Sequence, residues 1–196
     1  MIRRSWMLVS FLAAAIVILA DPDQPEQAID TERSSLTVHV GKAGLLSAAA
    51  HEHWVNAPIA GGTIAANGST LAVRFAVDAR RLSVRPEKGV TDKDRAEVQS
   101  NMHNRVLESN TYPDIVFRSI EVRRTGALVW RVSGDLTLHG VTKPVSVDVT
   151  RQNDAYVGTV RIKRTEFGIQ PIKIGGGVVR VKDELEISFR VYTASR

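Results

Sequence analysis

The sequence contains no cysteine, which excludes a disulfide framework, a thiolate metal site, a cysteine nucleophile and a lipid tether through an N-terminal cysteine. Aromatic residues make up only 6%, and no basic stretch is interleaved with them, so the surface expected of a nucleic-acid binder is missing. No run of five like charges occurs, which argues against an interaction tail. There is no phosphate loop and no G-x-G-x-x-G: Gly175-Gly176-Gly177 lacks a following Lys-Ser/Thr or helical pattern and reads as a hairpin loop. Ser109, Ser133 and Ser146 stand outside any G-x-S-x-G elbow. No catalytic constellation and no cofactor is implied, and the chain reads as a non-enzyme.

What is present is ordinary globular material. With 43% hydrophobic and 24% charged residues, the chain can bury a core and is neither disordered nor multi-spanning. Its 196 residues fit one all-β domain. Met1-Ile2-Arg3-Arg4 precedes an uncharged run from Trp6 to Ala20, followed at once by Asp21-Pro22-Asp23-Gln24-Pro25. That is the pattern of a signal peptide over 1–20, too short to span a bilayer as a helix. Cleavage after Ala20 fits best, and an uncleaved anchor is the alternative because Ile18 stands where a small residue is preferred. The expected location is the periplasm or outside the cell. Removing Arg3 and Arg4 lowers the net charge from +5 to +3.

Residues 21–34 read as a polar linker into the domain over 35–196. From there the period is two. Leu71, Val73, Phe75 and Val77 alternate with polar or small residues; Leu128, Trp130, Val132, Leu136 and Leu138 alternate with Val129 and then with polar residues; Val145, Val147 and Val149, and Leu185, Ile187, Phe189 and Val191, alternate with polar residues in the same way. Shorter candidates at 35–42, 53–66, 114–124 and 156–163 bring the count to eight strands. The exception is 91–107, where Thr91 and Asp94 make a capping-box-like start and Val98, Met102 and Val106 form one apolar stripe of an amphipathic helix. Eight sequential antiparallel strands avoid exposed edges by closing into a barrel, with a two-sheet sandwich as the alternative.

The segment Leu136-Thr137-Leu138-His139-Gly140-Val141-Thr142-Lys143-Pro144-Val145 resembles a signature hairpin of the YceI-like family, the lipocalin-like, polyisoprenoid-binding periplasmic proteins. Arg95 to Met102, Tyr112-Pro113 with Ile115 to Ser119, and Arg164-Thr165-Glu166-Phe167-Gly168-Ile169 resemble further motifs of that family in its order. The resemblance covers roughly 31–194 and implies an eight-stranded antiparallel lipocalin-like barrel with a helix beside it, whose long hydrophobic cavity takes an amphiphilic lipid.

An inward aromatic in such a barrel is both core and ligand wall. The expected wall therefore takes Trp54, Phe75, Phe117, Trp130 and Phe167, with Leu71, Val73 and Val132 from the apolar rows and Val98 and Met102 from the helix stripe. The expected partner is a long-chain apolar or isoprenoid lipid, with transient membrane contact and no nucleic acid. Each buried CH₂ contributes about 0.8 kcal/mol, so a tail of ten or more carbons supports micromolar binding after association costs. Arg74, Arg80, Arg81, Arg85, Arg161 and Lys163 are candidates to meet an anionic headgroup. His51 and His53 stand two apart and supply two imidazoles on one strand face, which sustains an alternative reading as a His-dependent metal-binding or redox-accessory protein. A third reading is an envelope interaction module with a filled barrel.

Overall fold

Alternation with period two is realised as one antiparallel sheet that curls into a half-barrel. The computed structural model describes residues 26–43, 52–67, 70–170, 173–174 and 179–194. In chain order the strands are β1 (Glu26–Ala28), β2 (Ser35–Ala43), β3 (His53–Asn56), β4 (Ile59–Asn67), β5 (Thr70–Asp78), β6 (Ser83–Val84), β7 (Asp114–Gly126), β8 (Val129–Leu138), β9 (Val141–Gln152), β10 (Ala155–Lys163), β11 (Lys173–Ile174) and β12 (Val179–Tyr192). They pair in the order β1-β4-β5-β7-β8-β9-β10-β12-β2-β3-β6, with β11 set against β12.

The register keeps the apolar rows together. Trp130 lies opposite Val149 and Val132 opposite Val147, while Phe75 lies opposite Phe117, so cross-strand neighbours build a common inner face. The outer face carries exposed cross-strand ion pairs such as Arg131 with Asp148 and Arg161 with Glu186 at 2.7 Å. Pairs of this kind contribute at most about 1 kcal/mol each, so burial of the inner rows dominates. The flanks of the curled sheet are tied by main-chain contacts: Ile29 bridges Thr193, Asp30 N donates to Tyr192 O at 2.9 Å, and Ala57 N donates to Leu36 O at 2.9 Å.

The strand count exceeds the expected eight for identifiable reasons. The stretch 53–66 is two strands, because the chain breaks at Ala57-Pro58 and crosses from a pairing with β2 to a pairing with β5; proline has no amide to continue a ladder and restricts the residue before it. The polar stretch 21–34 is not linker throughout. Glu26–Ala28 pairs with β4, and Ile29 is 6% exposed in the core. The short β6 and β11 carry too few residues to show a period. The signal peptide expected over 1–20 and the loop Gly175 to Gly177 lie outside the described residues.

The helix forms as read. Thr91 accepts from Asp94 N at 3.1 Å and its hydroxyl donates to the Asp94 carboxylate at 2.8 Å, capping α1 (Asp92–Asn101). A wider π turn, Met102–Val106, continues it. Gln99 pins the helix to the strand end beside it: its side chain accepts from Val84 N at 2.7 Å and donates to Leu82 O at 2.8 Å.

One end of the half-barrel carries α1, the β8–β9 turn and a 3-10 turn at Arg164–Phe167. His139 (φ 52°) and Gly140 (φ 73°) are both left-handed, the requirement of a tight type I′ hairpin. The other end carries the β7–β8 and β9–β10 hairpins. The strands β9 and β10 pair over only four rungs next to their hairpin, after which β10 pairs with β12 alone.

Candidate functional site

The inner rows and the helix stripe enclose a cavity of about 520 Å³, within the range of small-molecule sites. Its wall is almost wholly aliphatic and aromatic; the polar side chains that reach it include His53, Asn101 and Arg164. Phe75 and Phe117 pack with ring centroids 5.5 Å apart, and Trp130 meets Tyr156 edge-on at 6.0 Å. Gly134 makes room for this wall, since a Cβ there would lie 2.8 Å from Phe117 Cζ.

Of the expected wall residues, Val73, Phe75, Val98, Met102, Phe117, Trp130 and Val132 line the cavity. Trp54 does not. It is 38% exposed and stacks on His39 at 4.3 Å, while its neighbours His53 and Val55 point inward. In His53-Trp54-Val55-Asn56 two apolar residues are adjacent, so alternation alone cannot choose the inner one, and bulk favoured the wrong choice. Phe167 is fully buried within the core beside Ile162 and Ile169 rather than on the wall; a 3-10 turn has no period-two signal to show this. Leu71 lies on β5 opposite Ala66, and its side chain lies outside the described residues. The expected list omitted Leu36, Val38, Val147, Tyr156, Ile187 and Phe189, which also line the cavity and follow the same alternation.

The basic residues proposed for a headgroup stand elsewhere. Arg80 chelates Asp78 through Nε and Nη2, both at 2.9 Å; Arg161 pairs with Glu186; Arg74 donates to Thr63 Oγ1 at 3.0 Å and faces Glu26. Arg81, Arg85 and Lys163 are exposed, and none of the six lines the cavity. Arg164, by contrast, lines it at 4% exposure. Burial lowers its guanidinium pKa against the support of Asp183, whose carboxylate lies 4.0 Å away. Burial also opposes ionisation of Asp183, yet the hydroxyl and amide of Thr165, with Arg164, hold its carboxyl below the usual range.

The histidines are dispersed. His39 faces Glu52 at 3.1 Å, His53 faces Glu87 at 3.7 Å, and His51 lies outside the described residues. Among the described residues no three His, Asp or Glu gather at metal-binding distance. His139 bonds Glu108 at 3.0 Å and packs on Tyr112 at 4.2 Å, so the His139 to Pro144 segment builds a turn.

Against this geometry, a family model described as the YceI-like domain matches residues 27–193. The chain belongs to the YceI-like family. Among relatives, a UPF0312 protein of Pseudomonas savastanoi pv. phaseolicola is 34% identical over 93 residues, 42% of this chain and 46% of that protein. One from Pseudomonas putida strain F1 is 30% identical over 127 residues, 60% of this chain and 61% of that protein. The chain thus matches about half the length of such relatives. Two solved structures share the YceI-like fold. BcnA of Burkholderia cenocepacia superposes with a TM-score of 0.64 at 18% identity, covering 85% of this chain and 99% of that one. A polyisoprenoid binding domain from Saccharophagus degradans, implicated in plant cell wall breakdown, gives 0.55 at 13% identity, covering 86% and 98%.

Proposed function

We propose that this YceI-like protein is an exported lipid-binding protein that holds one long apolar or isoprenoid-type amphiphile, as carrier or sequestering protein, without covalent chemistry. The observation that carries the reading is the cavity of about 520 Å³ with an almost unbroken apolar wall. A space of this kind is a poor place for water and a good one for a hydrocarbon chain, because each CH₂ transferred contributes about 0.8 kcal/mol. The polyisoprenoid-binding neighbour of the same fold supports the ligand class. Native mass spectrometry of the purified protein, with titration of a long-chain fluorescent lipid, tests it: one lipid per chain is expected, and a protein that neither carries nor takes up lipid overturns the reading. Export rests on the N-terminal pattern read from the sequence, and the exported form is expected to begin near Asp21.

A further inference from the structure

We propose that the hairpin end of the cavity carries an anion-binding rim, formed by Arg124 and Arg151 on either side of Leu128, which holds the phosphate or carboxylate headgroup of the amphiphile whose tail fills the cavity. The inference rests on the lipid-binding reading above and adds the ligand's charge class and its orientation.

Register places these side chains. Arg124 is paired across β7–β8 with Trp130, and Arg151 across β9–β10 with Tyr156. Directly paired residues project to the same face, and both Trp130 and Tyr156 line the cavity. The two arginines therefore stand on the inner face, each on the rung of one of these aromatics, and follow the cavity-lining Val122 and Val149 by two along their own strands. Leu128 precedes Trp130 by two on the inner row, is 52% exposed, and accepts from Arg151 N through its carbonyl at 2.8 Å. The strands β7 and β9 flank β8, and Arg124 faces Trp130 while Arg151 faces Leu128, two residues along, so roughly 12 Å separates the two arginine backbones, within reach of a headgroup lying between their long side chains.

Charge accounting favours the same place. Neighbouring arginines already have carboxylates: on the outer face Arg131 has Asp148 and Arg123 has Glu121 at 3.0 Å, and in the adjoining turns Arg33 has Asp154 at 2.6 Å. Arg124 instead donates to the carbonyls of Gly126, at 3.0 Å, and Ala127. Arg151 donates to Asn153 O at 3.1 Å and lies over the Tyr156 ring at 6.0 Å; the nearby Asp154 carboxylate, which also feels the charge of Arg151, is the one bonded by Arg33. Both guanidinium groups hold to neutral carbonyls and keep donors available for an oxyanion. Arg124 and Arg151 are exposed outside the cavity lining; the arginine that lines the cavity is Arg164, but it sits at the helix end, 4% exposed and facing Asp183. A headgroup there would surrender its water, whereas one at the rim keeps most of it.

The test compares dodecyl phosphate with dodecanol, two ligands with one tail, by displacement of a fluorescent lipid at low salt. Wild type is expected to bind the phosphate about tenfold more tightly, the size expected of two exposed ion pairs, with the preference fading at high salt. The double variant Arg124→Gln/Arg151→Gln is expected to lose that preference while holding dodecanol within about twofold. Arg124→Lys/Arg151→Lys should keep part of it, since charge is retained without the guanidinium fork. Three results overturn the rim: a double glutamine variant that still prefers the phosphate, a loss of dodecanol binding in both double variants, which makes the arginines hairpin supports, or competition by inorganic phosphate as effective as that by dodecyl phosphate, which marks an anion site independent of the tail. Failure of wild type to bind either ligand instead sinks the lipid-binding reading itself.

Discussion

Val73 is on the cavity wall, and its amide is held by the Ser119 hydroxyl at 2.8 Å, so a change of its side chain acts on the cavity and not on the ladder. In a filled core, Val73→Phe would cost about 1–3 kcal/mol through overpacking, which for a chain of this size lowers Tm by several degrees. With the space available here the ring is expected to enter the cavity, weakening long-chain lipid binding at least several-fold while Tm shifts by less than about 2 °C. Ala72→Ser, on the opposite face, is the control and should change neither; a strong fall in Tm for Val73→Phe without lipid uptake by wild type would favour the filled module. Asp183 gives a second residue-scale test. Its carboxyl is depressed in the folded protein, so the stability it confers is fully present above the unfolded carboxylate pKa of about 3.9 and is lost as pH falls through the lower folded value. Asp183→Asn is therefore expected to lower Tm at pH 7, and the gap from wild type should close progressively below about pH 4. At this scale the sequence shows Val73, Phe75 and Val132 plainly, because each is flanked by polar or small residues, and Trp130 beside Val129 is placed by the longer row it shares with Val132, Leu136 and Leu138. Arg124 and Arg151 stay hidden: an arginine in an alternating strand reads as outward, and only the register with Trp130 and Tyr156 reveals that these two share the inner face.

Helix α1 is the element whose local signals agree best with its structure. The Thr91 cap is formed on both sides, amide to hydroxyl and hydroxyl to carboxylate. Thr91→Ala is expected to cost about 1 kcal/mol, measured by chemical denaturation, and to loosen Val98 and Met102 against the cavity, so bound lipid should dissociate faster. An unchanged off-rate would mean that the Gln99 contacts to Val84 and Leu82 suffice to hold the helix. Strand identity was legible wherever one face is buried along five or more residues, as in β5, β8 and β12. It was not legible at 53–66, where Pro58 separates two strands with different neighbours, nor at 26–28, where Glu26-Gln27-Ala28 pairs with β4 and buries no side chain.

At the scale of the molecule, ligand and fold share one cavity, so filling it should stabilise the whole. A lipid at 100 times its Kd contributes about 2.7 kcal/mol by mass action, which corresponds to a Tm rise of about 5–10 °C in a chain of this length. Differential scanning calorimetry of delipidated protein with and without added lipid checks this, and a Tm indifferent to a lipid that binds would place the lipid outside the cavity. The pairing of β2 with β12 has a consequence of another kind. These neighbours lie at opposite ends of the described chain, so their contact closes a very long loop, and folds dominated by such contacts form slowly. During synthesis from the N-terminus, β2 waits without this partner until residues 179–192 have emerged, so the nascent protein spends its whole translation as an unfinished sheet with an open apolar groove. That interval is the one in which a holding chaperone competes with aggregation for the same surface.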